Sequence, residues 1–394
     1  MIEPSRKTSS FHYAIRNLVN VAEAQARRGR EIIYLNIGDP QEYGFRPPSH
    51  IVEAVTSALR DKFTGYANSA GLPEARAAVA AYATALGAPT EPEHVLMTSG
   101  ASEAADLVLT ALLNEGDEVL LPAPGYPIYA AILQKLGAVA RYYTLDRARN
   151  WQPSIKQISS SITSRTRALV LINPNNPTGS IIPDETTKQL LELAARHRLL
   201  VIADEVYREL CFAKAPTSAS VIVQDIDLPL ITLESLSKTH LVPGWRVGWM
   251  RYTHEEAMSD LTRSIGRLAS GRLCSPTPSQ YAVKPALEGD RGFLVEFMNE
   301  IRKRRDFVVA AANEIKGLSC DVPGAAFYVM MKVEDERART DEEFVLALLE
   351  ETGVLVVPGS GFGSDPKAGF FRLVYLADEK LLGEVFDNIE RFLD

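Results

Sequence analysis

Cysteine is scarce in this 394-residue chain: Cys211, Cys274 and Cys320 are odd in number and far apart. A disulfide framework is thereby excluded, and a reducing compartment fits. The six histidines are scattered, with no pair at ligand spacing near a cysteine or carboxylate cluster, so no metal site is expected. Long apolar runs are also missing. VLLPA and ALVLIN stop well short of a membrane span. The opening MIEPSRKTSS carries charges but no apolar core of a secretory signal, so a cytoplasmic protein with no membrane partner is expected. Positive charge is not in excess either. The net charge of −8 is spread along the chain with no basic stripe, which argues against nucleic acid as a partner. Internal repeats and low-complexity tracts are absent as well.

What is present is ordinary in bulk: 46% hydrophobic and 23% charged residues. The length exceeds the usual size of one core, so two domains are expected. In the middle, short β-rich runs alternate with helix-period stretches. EVLLP (118–122), RALVLINP (167–174), LLVIADE (199–205), LPLITLES (228–235) and VGWMRY (247–252) read as strands. PIYAAILQKLGA (127–138) reads as a helix, as does PDETTKQLLELAARHRL, with acids in its first turn and Leu190, Leu191, Leu193 and Ala194 as an inward stripe. Near-continuous apolar strands separated by helices imply an α/β fold with a mainly parallel sheet covered on both faces. In such sheets ligands bind beyond the carboxyl ends of the strands. The last third changes to a long charged helix, short strands (AAFYVMMKV, GVLVVPG, FFRLVYL) and a final helix, a smaller α+β domain. The division expected is 48–288 for the large domain, with 1–47 and 289–394 forming the small one.

Several strand ends carry polar residues that each have a bland explanation. NPNNPTG (173–179) is turn chemistry. Asp204, after LLVIA, could cap a helix, and Ser99 or Ser102 in VLMTSGASEAADLVLTALL could do the same. GVLVVPGSGFG has the wrong glycine spacing for a dinucleotide loop and no following helix, so glycines needed at positive φ are the better account. Lys238 and Arg246, in LESLSKTHLVPGWRVGW, stand out because cations there interrupt an apolar pattern. One ligand would use all these ends together: an aromatic ring with an acidic nitrogen, an aldehyde and a phosphate, which is pyridoxal phosphate. Asp204 would keep the ring nitrogen protonated. Asn176 and Tyr207 would donate to the phenolic oxygen. Lys238, its pKa lowered by nearby cations, would form a Schiff base. Arg246, Ser235 and Ser102 would hold phosphate at a helix start. Tyr126, in APGYPIY, would stack on the ring.

The motifs YANSAGLPEAR, TSGASEA, PAPGYP, NPNNPTG, ADEVY, SLSKT, GWRVGW and FRLVY occur in one order. In that order the chain resembles the class I pyridoxal-phosphate aminotransferases of fold type I over essentially its full length. The resemblance implies a large domain with a mainly parallel seven-stranded sheet between helices. It implies Lys238 as Schiff-base lysine and proton shuttle, with Asp204, Asn176 and Tyr207 around the ring. Ser235, Arg246 and the Ala101–Ser102 turn would hold phosphate, and Tyr66 would reach the phosphate of a neighbouring subunit in a homodimer. Arg372, in AGFFRLVYL, matches the arginine that grips the substrate's α-carboxylate, and Gly38, in LNIGDP, matches a backbone position lining the substrate pocket. Read alone, Arg372 could be a solvated strand arginine and Gly38 a turn glycine.

HYAIR, LNIGDPQEYGFRPP and RLCSPTPSQ look like the alanine-aminotransferase branch, where Tyr13 and Arg16 would close over a small amino acid. Without the resemblance these two read equally well as part of an amphipathic N-terminal helix. HLVPGWRVGW looks more like the tyrosine branch, and His240 stands where many members carry Tyr, Phe or Trp. The reaction implied is a ping-pong exchange between amino acids and 2-oxo acids, with alanine as donor and 2-oxoglutarate as acceptor. An aromatic or broad-specificity aminotransferase and a C–S β-lyase on the same fold stay open.

Overall fold

The apolar runs become strands buried on both faces: Glu118–Ala123, Thr166–Ile172, Leu200–Asp204 and Leu230–Ser235 lie side by side and parallel. They belong to a computed structural model that describes residues 2, 3, 5, 14–61, 65–334 and 339–394. Gly248–Thr253 runs antiparallel between Leu230–Ser235 and Val95–Thr98. On the other side Val139–Asp146 joins parallel to Glu118–Ala123, and Gln152–Pro153 turns back antiparallel as the edge. Among the described residues the sheet therefore has eight strands, one more than the resemblance implies. The extra strand is two residues long and carries no apolar alternation of its own.

Helices cover the sheet through the stripes that their periodicity predicts. Asp184–Arg196 buries Leu190, Leu191, Leu193 and Ala194. Ala101–Leu112 buries Ala104, Ala105, Leu107, Val108 and Leu109 on the opposite side. Burial of this kind contributes about 1.5–3 kcal/mol per large aliphatic side chain, enough to fix which way each strand end points.

A second, antiparallel sheet has the order Leu318–Cys320, Tyr328–Val333, Phe370–Val374, Val357–Pro358. Gly292–Glu314 and Glu379–Leu393 pack on it through Ile301, Val308, Val385 and Ile389. Leu18, Ala22 and Leu35 from the N-terminal segment enter the same core, and Ile33–Tyr34 pairs with Val354–Leu355. Among the described residues no helix is long and apolar enough to cross a membrane.

In the glycine-rich stretch 359–363, only Gly363 takes a positive φ, of 88°. Gly359 is required by close approach instead, since a Cβ there would lie 2.6 Å from Phe370 Cβ.

Candidate active site

The parallel strands finish on one edge, and each hands the chain to a polar residue within a few positions: Ala123 to Tyr126, Ile172 to Asn176, Asp204 to Tyr207, Ser235 to Lys238. The antiparallel neighbours add to the same edge, because Gly248 pairs with both Ser235 and Thr98. A cavity partly open to solvent lies there and is lined by Ala101, Ser102, Tyr126, Asn176, Asp204, Tyr207, Ser235, Lys238 and Arg246. Nine of the ten residues expected to hold cofactor are thus brought together.

At one end of the cavity sits Asp204, 7% exposed and with Ile172 and Ile128 among the neighbouring wall residues. No helix begins at Asp204, so it is not a cap. Its Oδ2 accepts from the Tyr129 hydroxyl at 2.8 Å and its Oδ1 from the Val206 N–H at 3.3 Å. Burial raises its pKa, and these two bonds oppose the rise. A carboxylate so desolvated is suited to a cationic partner rather than to water.

The opposite end suits an anion. Ala101–Leu112 starts at Gly100 (φ 79°) with no side-chain cap, so neither Ser99 nor Ser102 serves as one. A Cβ at Gly100 would lie 2.5 Å from Arg246 Nη2, and one at Gly248 would lie 2.8 Å from Ala101 N. Both glycines leave the helix start and the guanidinium free to approach one small group. Arg246 is exposed there and donates to the Pro243 and Ser99 carbonyls at 3.0 and 2.9 Å. The Ser235 Oγ accepts from Ser237 N at 3.3 Å, which leaves its own proton to donate.

Lys238 lies between these ends in the Leu236–Thr239 turn, and its Nζ donates to the Gly38 carbonyl at 2.6 Å. Its pKa is lowered to about 8, first by burial, with Arg372 and Arg246 adding and Asp39 opposing. Nearby cations were the expected cause; desolvation is the larger one. The following residue but one, His240, is buried and accounts for its own departure from an aromatic. Its Nε2 donates to the Ala286 carbonyl at 2.9 Å, so Nδ1 accepts from the Thr239 hydroxyl at 2.9 Å. Burial lowers its pKa to about 4, which keeps the ring neutral beside the lysine turn.

Arg372 is 2% exposed, not a solvated strand residue. Its guanidinium lies 4.6 Å from the Tyr328 ring centre and 4.7 Å from that of Phe362. Nη1 donates to Asn176 Oδ1 at 3.0 Å, and Nη2 to the Asn36 carbonyl. Asn176 can serve here because its neighbours hold the turn: Asn173 bonds both ways with Ile182, and Asn175 Oδ1 accepts from Thr178. Gly38 is closely packed, since a Cβ there would meet Tyr328 Oη at 2.3 Å and Phe327 Cε2 at 2.5 Å.

Gly38 and Arg372 do not line this cavity themselves but bond to Lys238 and Asn176, which do. Tyr66 is 84% exposed and does not line it either. Tyr13 lies outside the described residues, and so does the side chain of Arg16, whose backbone is in the Ala14–Ala26 helix. Two contributors escaped sequence reasoning, Tyr129 on Asp204 and Tyr328, whose hydroxyl is 2.8 Å from that of Tyr207. Tyr129 had one available signal, its spacing of three from Tyr126 at a helix start.

Residues 30–389 match the family described as aminotransferase class I and II. The chain is 36% identical to the alanine aminotransferase of Mycobacterium tuberculosis, over 99% of this chain and 92% of that protein. It is 34% identical to the glutamate-pyruvate aminotransferase AlaA of Escherichia coli, over 95% of this chain and 94% of the relative. Among solved structures, an alanine aminotransferase from Pyrococcus furiosus superposes with a TM-score of 0.96 at 37% identity, over 99% of each chain.

Proposed function

We propose that this chain, which belongs to the class I and II aminotransferases and is therefore a transaminase working with pyridoxal 5′-phosphate, takes its amino group from alanine and passes it to 2-oxoglutarate. The residues suit that cofactor: a desolvated carboxylate at one end, an uncapped helix start beside two necessary glycines at the other, and an amine of lowered pKa between.

Pyridoxal phosphate, when bound, supplies an aldehyde that takes up the amino group and a ring that withdraws electrons. The protein's part is positioning and proton handling. Asp204 would hold a proton on the ring nitrogen, with Tyr129 fixing the carboxylate's angle. Asn176 and Tyr207 would donate to the ring oxygen, while Ala101, Ser102, Ser235 and Arg246 would hold the phosphate and Tyr126 would cover the ring. Arg372 binds the α-carboxylate of either acid as a planar fork. Lys238 Nζ would take the proton from the substrate's α-carbon and carry it within the site as general base and then general acid. One site serving both acids in turn gives ping-pong kinetics.

The observation that carries this reading is the Asn36–Gly38 segment. Its Asn36 carbonyl accepts from Arg372 and its Gly38 carbonyl from Lys238, so carboxylate grip and proton carrier sit on one short stretch. An amino acid held by the first presents its α-carbon to the second. Alanine as the donor is supported by the names of the relatives and by the LNIGDP and HYAIR segments, with Tyr13 and Arg16 closing over a small side chain. In a screen of amino donors against 2-oxoglutarate, alanine should give pyruvate and glutamate with the highest kcat/KM. A preference for tyrosine, or pyruvate released from cysteine conjugates with no oxo-acid acceptor, would replace this assignment.

Tyr66, outside its own chain's cavity, would reach the phosphate of a second subunit in a homodimer with shared sites. Light scattering on a size-exclusion column should return twice the mass of the chain; a single-chain mass at working concentration would remove that role for Tyr66. The cofactor-binding part would span 48–288, with 1–47 and 289–394 forming the smaller, substrate-closing part. The three free cysteines fit a cytoplasmic setting.

A further inference from the structure

Tyr328 opens the strand Tyr328–Val333, next to Phe370–Val374. In that register it faces Val374, while Arg372 faces Met330, so Tyr328 and Arg372 stand on the same face as diagonal neighbours. The consequence is the 4.6 Å stacking of guanidinium on ring. The hydroxyl reaches further: it is 2.8 Å from the Tyr207 hydroxyl and lies where a Cβ of residue 38 would be. Tyr328 is 2% exposed, so no bulk water competes for these contacts.

We propose that Tyr328 is a positioning residue whose hydroxyl donates to the Tyr207 oxygen and thereby aims the Tyr207 proton at the cofactor's ring oxygen. This rests on the site reading above, in which Tyr207 faces that oxygen.

Two phenols in contact hold two protons, and between them form one hydrogen bond in either direction. A charged oxygen in front of Tyr207 breaks that symmetry, because a charge-assisted bond is about twice as strong as a neutral one. The Tyr207 proton goes to the ring oxygen, its own oxygen is left only to accept, and Tyr328 must donate. Such chains strengthen each bond by ~10–30%. Burial pushes the Tyr328 phenol up to about 12 although Arg372 opposes the rise, so it keeps its proton across the working range. The other charged or titratable groups facing the pair are Tyr126, Asp39 and Arg372, with Lys238 sharing the Gly38 contact.

The sign of the effect follows. A ring oxygen less well served by Tyr207 leaves the neighbouring nitrogen contributed by Lys238 holding its proton more tightly, so the pH midpoint of the bound cofactor's absorption rises. Losing one neutral hydrogen bond should move it by about half a unit to one unit.

The test is a spectral pH titration of the purified holoenzyme as wild type, Tyr328→Phe, Tyr207→Phe and the double variant. Phenylalanine keeps the ring under Arg372 and removes only the hydroxyl. The expected result is a raised midpoint in Tyr328→Phe, a larger rise in Tyr207→Phe, and a double variant that matches Tyr207→Phe alone. A midpoint that Tyr207→Phe moves and Tyr328→Phe leaves in place would overturn the coupling while the site stands. Additive shifts would overturn it as well, since Tyr328 would then act by another route. A midpoint moved by neither would take down the role of Tyr207, and this proposal with it.

Discussion

Lys238→Ala should yield a folded protein whose transamination rate has dropped by ~10⁴-fold or more, the upper range for a positioned acid–base group. Among the described residues lining the cavity this side chain is the one amine, and its pKa of about 8 makes it useful. At pH 7 an amine with that pKa is unprotonated in roughly a tenth of molecules, against well under a thousandth at the ordinary value. Folding should not suffer. The folded-state pKa lies below the ordinary 10.5, so the protonated lysine costs stability, fully below about pH 8 and not at all above 10.5. Without cofactor the variant should therefore melt no lower than wild type at pH 7. Borohydride reduction followed by peptide mapping should label Lys238 in wild type and nothing in the variant, which still binds cofactor noncovalently. Near-normal turnover in the variant, or a label on another lysine, would end the assignment of Lys238.

How much of this was legible in the sequence depends on distance along the chain. The central strands were, because a strand buried on both faces must be an almost unbroken apolar run, as in Thr166–Ile172 and Leu230–Ser235. Val139–Asp146 was not, since the edge strand covers only its last two residues, and its exposed Val139 breaks the pattern. Asp204 and Lys238 were legible only together, because a helix cap or a solvated lysine explains each alone, whereas one ligand at the strand ends explains both. Tyr129 and Tyr328 were not conspicuous. Each sits among apolar neighbours at ordinary spacing, and their partners Asp204 and Tyr207 are 75 and 121 residues away. The cause of the Lys238 shift was hidden for the same reason: charges are written in the sequence, whereas desolvation belongs to the assembled cavity.

The second large effect concerns Arg372. Its fork is engaged by Asn176 Oδ1 and the Asn36 carbonyl, with two aromatic rings holding its plane. Preorganisation of this kind means that an arriving carboxylate meets a guanidinium that need not be ordered first. Arg372→Ala should then lower kcat/KM for alanine by about 2–5 kcal/mol, or ~30- to ~4,000-fold, the range for truncating one partner of a buried charged pair. Arg372→Lys should recover only part of this, because a point charge replaces a planar fork and loses the stacking between Tyr328 and Phe362. An amine that lacks a carboxylate provides the control. Its slow turnover never used the arginine, so it should be the same in wild type and both variants. If the amine loses as much as alanine does, Arg372 is holding the site together rather than gripping the substrate. If neither loses activity, the carboxylate is bound elsewhere.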